Sequence, residues 1–181
     1  MIAEKKYLQP KTISEALEMA KGFATDFRFL AGGTDILVNK FQGNDSSASL
    51  IDITGIEELK IVEQKGNFLH IGSLVTLDEL KNHSVLQNNF PVLLEAAHAV
   101  GSPLIRKTGT IGGNLLCENR CSFYNQSEWW REAVGYCLKC EGDICIATGG
   151  KKNCFSKFVS DTAIALISLD AEIEVMKSGG K

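Results

Sequence analysis

The chain has 181 residues, 44% of them hydrophobic and 23% charged, which is ordinary globular usage. That balance excludes a disordered, collagen-like or fibrous chain, and the length suits one good-sized domain or two small ones. A net charge of −3 and no basic stripe argue against a nucleic-acid binder that works by neutralising phosphates.

The N-terminus, MIAEKKYLQP, lacks the apolar stretch and small-residue cleavage site of a signal peptide. No segment approaches the roughly 20 apolar residues that span a bilayer. The expected location is the cytoplasm, away from membranes, with thiols reduced at the outset.

Thr12-Ile-Ser-Glu15 has the form of a capping box, followed by Ile13, Ala16, Leu17 and Ala20 at helical spacing and Gly22 past the end. Phe27 to Leu30 reads as a strand that runs into Ala31-Gly32-Gly33-Thr34-Asp35. Ile36 to Val38 can begin a short helix, and Gly43 to Ser49 is a polar loop. Leu50 to Ile53 reads as a second strand. Ile61–Glu63 and Phe68–Gly72 flank Lys65-Gly66-Asn67 as a hairpin.

Thr76-Leu-Asp-Glu79 is a further capping box, and Pro91 suits the first turn of a helix running to about Val100. Gly101-Ser102-Pro103 leads into a strand-like piece and then Thr110-Ile-Gly-Gly-Asn114. Asp161 is placed to cap a helix carrying Ala163 to Leu169. Ala171 to Met176 alternates like a strand, with Ser178-Gly179-Gly180 as the turn after it. The elements predict an α+β fold in two lobes: 1–55 as an N-terminal α/β lobe and 56–181 as a second α+β lobe.

Two loops carry paired glycines directly after apolar segments. In Phe29-Leu-Ala-Gly-Gly-Thr-Asp35, the missing Cβ atoms let backbone amides face a phosphate, and Thr34 adds a hydroxyl. This is neither a G-x-G-x-x-G fingerprint nor a P-loop. Thr110-Ile-Gly-Gly-Asn-Leu115 is the second such loop. The pair can converge on one dinucleotide diphosphate; each loop alone reads equally well as a tight strand-exit turn.

All six cysteines, Cys117, Cys121, Cys137, Cys140, Cys145 and Cys154, fall within one stretch of 38 residues. In a reduced compartment, such clustering points to metal or redox work. Buried free thiols would instead be scattered over core positions. His70, His83 and His98 have no metal-ligand spacing. No residue stands out as a catalytic acid or base.

Tyr7-Leu-Gln-Pro10, Leu30-Ala-Gly-Gly-Thr-Asp35, Ile51-Asp-Ile53, Ile71-Gly72, Ile105-Arg106, Thr110-Ile-Gly-Gly-Asn114 and Ser160-Asp161 resemble, in order, the FAD-binding domain of the molybdenum hydroxylases. This is the medium or β subunit in relatives of carbon monoxide and xanthine dehydrogenase, with a two-lobed fold of the molybdopterin dehydrogenase (PCMH-like) type. The resemblance implies an oxidoreductase subunit that binds FAD. Leu30, Ala31, Gly32, Gly33, Thr34 and Asp35 would hold the pyrophosphate. Gly101, Thr110, Gly113, Asn114, Leu115 and Asp161 would lie along the flavin and its ribityl–phosphate arm. It implies as partners a [2Fe–2S] small subunit and a molybdopterin large subunit. The family's usual C-terminal domain is expected to be absent from this sequence.

The Cys-rich stretch, 117–157, is an insertion relative to that pattern. Arg120-Cys-Ser-Phe-Tyr-Asn-Gln-Ser-Glu-Trp-Trp130 with Gly135-Tyr-Cys137 resembles the β subunits of 4-hydroxybenzoyl-CoA reductases. That likeness implies a [4Fe–4S] cluster on Cys121, Cys137, Cys145 and Cys154, with ferredoxin as an external electron donor. Spacing alone leaves zinc open, through Cys137-x-x-Cys140 with Cys117 and Cys121 or Cys145. A zinc-stabilised, non-enzymatic binding domain is the corresponding alternative. Trp129 and Trp130 are expected as core anchors, with shielding of a cluster as the other option.

Overall fold

In the computed structural model of the chain, residues 6–23 and 26–177 are described. They group into two compact units. The first comprises the described residues of Met1–Thr34, Ser47–Leu116 and Ser160–Lys181, and the second Asp35–Ser46 and Cys117–Val159. The expected boundary near residue 55 falls inside the first unit. The second unit recruits 35–46, a piece that sequence alone assigned to the N-terminal lobe.

The first unit starts with a three-stranded parallel sheet. Strands β1 (Lys6–Leu8), β2 (Phe27–Leu30) and β3 (Ser49–Asp52) lie in the order β1-β3-β2. Phe29 pairs with Ile51 and Leu30 with Asp52. The central strand has neighbours on both sides, and Ile51 is fully buried. Helix α1 (Ile13–Lys21) joins β1 to β2. Its capping box forms with a shift of one residue: Glu15 N–H donates to Thr12 Oγ1 (3.1 Å), while the Glu15 carboxylate accepts from Lys11 N–H (2.7 Å). Ala16, Ile51, Ile56 and Leu74 form the core of this layer.

Strands β4 (Val62–Lys65) and β5 (Phe68–Ile71) form the expected antiparallel hairpin, with Gly66 at φ +61° in its turn. Thr76 and Glu79 make a reciprocal capping box: Glu79 N–H to Thr76 Oγ1 at 3.2 Å, and Thr76 N–H to the Glu79 carboxylate at 2.9 Å. It opens only a single 3-10 turn, Glu79–Asn82, before α3 (Ser84–Asn89). Helix α4 (Pro91–Ala99) begins at Pro91 as expected.

The strand-like piece after Pro103 is a helix instead, α5 (Pro103–Thr108). Ser102 Oγ accepts from Ile105 N–H (3.3 Å) and Pro103 occupies the first turn, where its missing N–H is harmless. Helices α6 (Ile111–Leu115) and α8 (Asp161–Ser168) complete a second core of Val75, Leu77, Leu80, Leu86, Leu93, Ala97, Ile111 and Ala165. Residues 171–176, expected as a strand, pair with no described strand. The turn expected at Ser178–Gly180 lies outside the described residues.

The second unit contains α2 (Ile36–Phe41), α7 (Glu128–Val134) and long connections that carry the cysteines. No helix among the described residues is long and apolar enough to cross a membrane.

Candidate functional site

The first glycine loop is built by the end of β2. Ile53 N–H donates to Leu30 O (3.0 Å), and the chain then leaves the sheet. Its two glycines have different causes. A Cβ at Gly32 would stand 1.8 Å from the carbonyl oxygen of Thr108, so this position is glycine because backbone meets backbone. Gly33 has φ +73°, a conformation that L side chains rarely adopt. Among the described residues, the N–H groups of Gly32, Gly33 and Thr34 meet no acceptor, although the turn is half-buried. Partly buried amides without partners are what an anion would satisfy.

The second loop lies against the first. The Thr108 contact at Gly32 brings them together, and a Cβ at Gly109 would be 3.4 Å from Thr34 Oγ1. Thr110-Ile-Gly-Gly-Asn-Leu115 is not an open loop, however. Thr110 caps α6, accepting from Gly113 N–H at 3.0 Å. Three further amides are engaged as well: Ile111 donates to Val75 O, Gly112 to Ser73 O and Asn114 to Thr110 O, each at 2.9 Å. A cofactor beside this segment would therefore meet the exposed face of Gly113 and the side chains of Asn114 and Leu115, rather than bare amides.

Gly101 (φ +48°) sits in the turn between α4 and α5. Buried Arg106 fixes that turn by donating from Nη1 to Val100 O and Gly101 O, both at 3.0 Å. Asp161 does not cap α8. Ser160 does, accepting from Ala163 N–H at 3.2 Å, and Asp161 stands exposed in the first turn. Leu30 is buried at the end of β2.

Asp35 parts from its neighbours in sequence. It belongs to the second unit, where one carboxylate oxygen pairs with Arg120 and the other accepts from Glu118 N–H (2.9 Å). Its charge is committed to the start of the Cys-rich stretch.

Within the second unit, Cys121, Cys137, Cys145 and Cys154 line one small cavity of about 10 Å³, room for little more than one water. Cys137 and Cys145 are buried, Cys121 is half-buried and Cys154 is exposed. Cys117 and Cys140 do not line the cavity, although Cys140 Sγ lies 3.5 Å from Cys137 Sγ. Burial pushes the Cys140 thiol up. The Thr148 hydroxyl holds the Cys145 thiol below its ordinary value, against the effect of burial. Among the described residues, no three His, Cys, Asp or Glu side chains stand in ligating geometry. The donor set around the cavity, four thiols among apolar side chains, is of the kind that holds iron–sulfur clusters or structural zinc.

Arg131 organises this unit. It is 2% exposed and donates to Gln126 O (2.5 Å), Gln42 O (2.9 Å) and Tyr124 O (3.4 Å), besides pairing with Glu128. Lys139 lies 4.5 Å from the centre of the Tyr124 ring and pairs with Glu118. Trp129 is 75% exposed and is no core anchor; Trp130 packs near Phe123, with ring centres 6.2 Å apart. The sequence assigns no anchoring role to Arg106 or Arg131 because their partners are mostly backbone carbonyls, which leave no mark on residue type.

Known proteins are similar to part of this chain. The FAD-subunit of nicotinate dehydrogenase from Eubacterium barkeri is 36% identical over 115 residues, covering 61% of this chain and 38% of the relative. The medium chain of carbon monoxide dehydrogenase from Hydrogenophaga pseudoflava is 32% identical over 110 residues, again 61% and 38%. The aldehyde oxidoreductase FAD-binding subunit PaoB of Escherichia coli K12 is 31% identical over 159 residues, 85% of this chain and 50% of the relative. The chain thus spans half or less of the length of these relatives.

Among solved structures, the H. pseudoflava carbon monoxide dehydrogenase lacking the Mo-pyranopterin moiety superimposes with a TM-score of 0.60 at 32% identity. It covers 64% of this chain and 40% of that one. The domain family described as the FAD binding domain in molybdopterin dehydrogenase matches residues 3–181. With its sheet, its paired glycine loops and this match over nearly its whole length, the chain belongs to the FAD-binding domain family of the molybdopterin dehydrogenases.

Proposed function

We propose that the chain is the flavin-binding, electron-transferring part of a molybdenum-containing hydroxylase or reductase. The observation that carries this reading is the set of unpartnered amides at Gly32, Gly33 and Thr34, packed against Thr108 and Gly109. Those amides would take the FAD pyrophosphate, with Leu30 and Ala31 shaping the turn. Gly101, Thr110, Gly113, Asn114, Leu115 and Asp161 would border the rest of the cofactor. Two lobes would rest on the two cores of the first unit, the N-terminal one drawing Ile56 and Leu74 from beyond residue 55, with 117–157 as an insertion.

The Cys-rich stretch would hold a [4Fe–4S] cluster through Cys121, Cys137, Cys145 and Cys154. What supports this is that these four thiols, and not Cys117 or Cys140, line a common cavity. FAD exchanges electrons in pairs or singly, and a cluster relays them one at a time. The partners would be a [2Fe–2S] subunit and a molybdopterin subunit, in the cytoplasm. In a 4-hydroxybenzoyl-CoA reductase-like complex, a ferredoxin would supply electrons; in a hydroxylase-like complex they would leave to an outside acceptor.

A second reading keeps the fold but places zinc on the cysteines. The 3.5 Å approach of the Cys137 and Cys140 sulfurs favours it, since C-x-x-C is a common zinc knuckle. Anaerobic purification followed by assay of flavin, iron, acid-labile sulfide and zinc separates the two. Flavin with about four irons and four sulfides per chain is the expected result. One zinc and no iron would overturn the cluster, and a protein that takes up no FAD would overturn the flavin role.

A further inference from the structure

Cys137 and Cys140 are the two ends of one tight turn. Cys140 N–H donates to Cys137 O at 2.9 Å, closing the 3-10 turn Leu138–Cys140, and the two sulfurs stand 3.5 Å apart. A turn closed in this way keeps its end Cα atoms within about 7 Å, the span that a disulfide can bridge. The bond itself is about 2.05 Å long, so side-chain rotation covers the remaining approach.

Backbone contacts hold the turn in that shape. Leu138 N–H donates to Ile144 O at 3.0 Å, and Gly142 N–H to Cys137 O at 2.9 Å. Glu141 takes φ +67°, and a Cβ at Gly142 would stand 1.9 Å from Tyr136 O. Among the described residues, no third His, Cys, Asp or Glu side chain joins the two sulfurs in ligating geometry. The turn therefore presents a dithiol that its own backbone has brought together. The two thiols differ in access: Cys137 is buried at 6% exposure, and Cys140 is half-buried. The cluster assignment above uses Cys137 and leaves Cys140 without a task.

We propose that Cys137 and Cys140 form a reversible disulfide in the metal-free chain, and that this bond gates metal loading by withholding Cys137. The oxidant is a small-molecule disulfide of the glutathione type. The Cys140 thiolate, the more accessible of the two, attacks it: a bond forms from Cys140 Sγ to one sulfur of the oxidant, the oxidant's S–S bond breaks, and one thiolate leaves. The Cys137 thiolate then attacks Cys140 Sγ, closing the internal bond and releasing the second thiolate. Two protein thiols have lost two electrons and two protons, and the oxidant has become two thiols. A reducing dithiol reverses both steps. The gating of a cluster rests on the reading given above; the bond itself does not.

The test uses the full chain, freed of metal by chelator and reductant without oxygen, and then treated with oxidised glutathione. Alkylation of the remaining thiols and peptide mass analysis locate any bond. Cobalt(II), which binds thiolates without needing a reductant, is the metal probe, read by its sulfur-to-cobalt charge-transfer absorbance. The expected product is a single internal bond between Cys137 and Cys140, with cobalt binding at least about tenfold weaker until dithiothreitol restores it. Cys140→Ser, which keeps all four thiols of the cavity, should bind cobalt equally well before and after the same treatment.

Glutathione retained on Cys140 with no internal bond, or a bond joining other cysteines, would overturn the proposal. Equal loss of cobalt binding in wild type and Cys140→Ser would trace the block to other thiols and overturn the gate. A Cys140→Ser chain that binds no cobalt even before oxidation would make Cys140 a ligand. That result would overturn the four-cysteine cluster assignment, while the mapped bond in wild type would still decide this proposal.

Discussion

Asp35 is tied to Arg120: one oxygen of its carboxylate meets the guanidinium, and the other accepts from Glu118 N–H at 2.9 Å. The contact joins the N-terminus of α2 to the entry of the Cys-rich stretch within the second unit. A carboxylate offers a diphosphate no donor, and both oxygens of this one are already engaged.

Asp35→Ala should therefore affect the second unit first. Both side chains are partly exposed, so the loss is expected at about 1 kcal/mol rather than several. Faster proteolytic cleavage near residues 117–120 and poorer metal retention are the expected signs, with FAD affinity changed less than about twofold. A large drop in FAD affinity with metal content intact would return Asp35 to the phosphate cradle.

The elements legible in the sequence were those whose signals are local. Phe27–Leu30 was readable as a strand from its own apolar run, and α4 from Pro91. The hairpin followed from the turn residues around Gly66. Helix α5 had a local signal too, Ser102 as cap and Pro103 in the first turn, but the apolar residues after it suggested extension. In Ala171–Met176 the alternation is real, yet a strand needs a partner, and partners are not written in the segment itself.

The site divides in the same way. That glycines follow β2 was visible; that Gly32 answers to Thr108 and Gly33 to its own dihedral was not, because Thr108 is distant in the chain. The hydrogen bonds that Asn114 Oδ1 accepts from Ser160 and Thr162 were hidden for the same reason. The capping role fell to Ser160 rather than Asp161, a difference of one residue that pattern cannot resolve.

The two glycines of the first loop should respond differently to substitution. At Gly32 a Cβ would collide with a backbone oxygen at 1.8 Å, and no side-chain movement can relieve that. Gly32→Ala should be poorly folded, losing roughly 3 kcal/mol or more. Gly33→Val carries strain from its positive φ, about 1–2 kcal/mol, and puts a side chain where a phosphate would sit. It should fold, keep its metal and bind FAD at least about tenfold more weakly, as read by titration. Equal FAD affinity in Gly33→Val and wild type would remove the turn from the binding site.

Asp52, at the end of β3, is the carboxylate on which the acid prediction rests. Burial pushes its carboxyl up, but donors outweigh that: Thr54 Oγ1 (2.6 Å), Tyr7 OH, Thr54 N–H (2.9 Å) and Gln9 Nε2 (3.3 Å) hold it below its ordinary value. The unfolded chain then takes up the proton more readily than the native one. The stabilisation is present above the unfolded value, near pH 4, and is lost as pH falls through the lower native value. Unfolding midpoints measured from pH 7 to pH 2.5 should show Asp52→Asn less stable than wild type at neutrality and less sensitive to acid. Parallel curves would show that Asp52 contributes nothing to the acid transition.

The cysteines allow the sharpest division, because the two metal readings need different sets. The cavity is lined by Cys121, Cys137, Cys145 and Cys154, while Cys140 is linked to it only through the neighbouring sulfur of Cys137. Serine at any of the four lining positions removes a soft thiolate ligand and should abolish most of the iron and sulfide. The proposed FAD site lies in the first unit, so FAD should stay bound. Cys117→Ser and Cys140→Ser should keep the cluster. A zinc knuckle reverses the outcome at Cys117 and, most cleanly, at two further positions: Cys140→Ser would lose the metal, and Cys154→Ser would keep it. Metal and sulfide analysis of these two variants, purified without oxygen, is enough to decide between a cubane cage and a zinc knuckle.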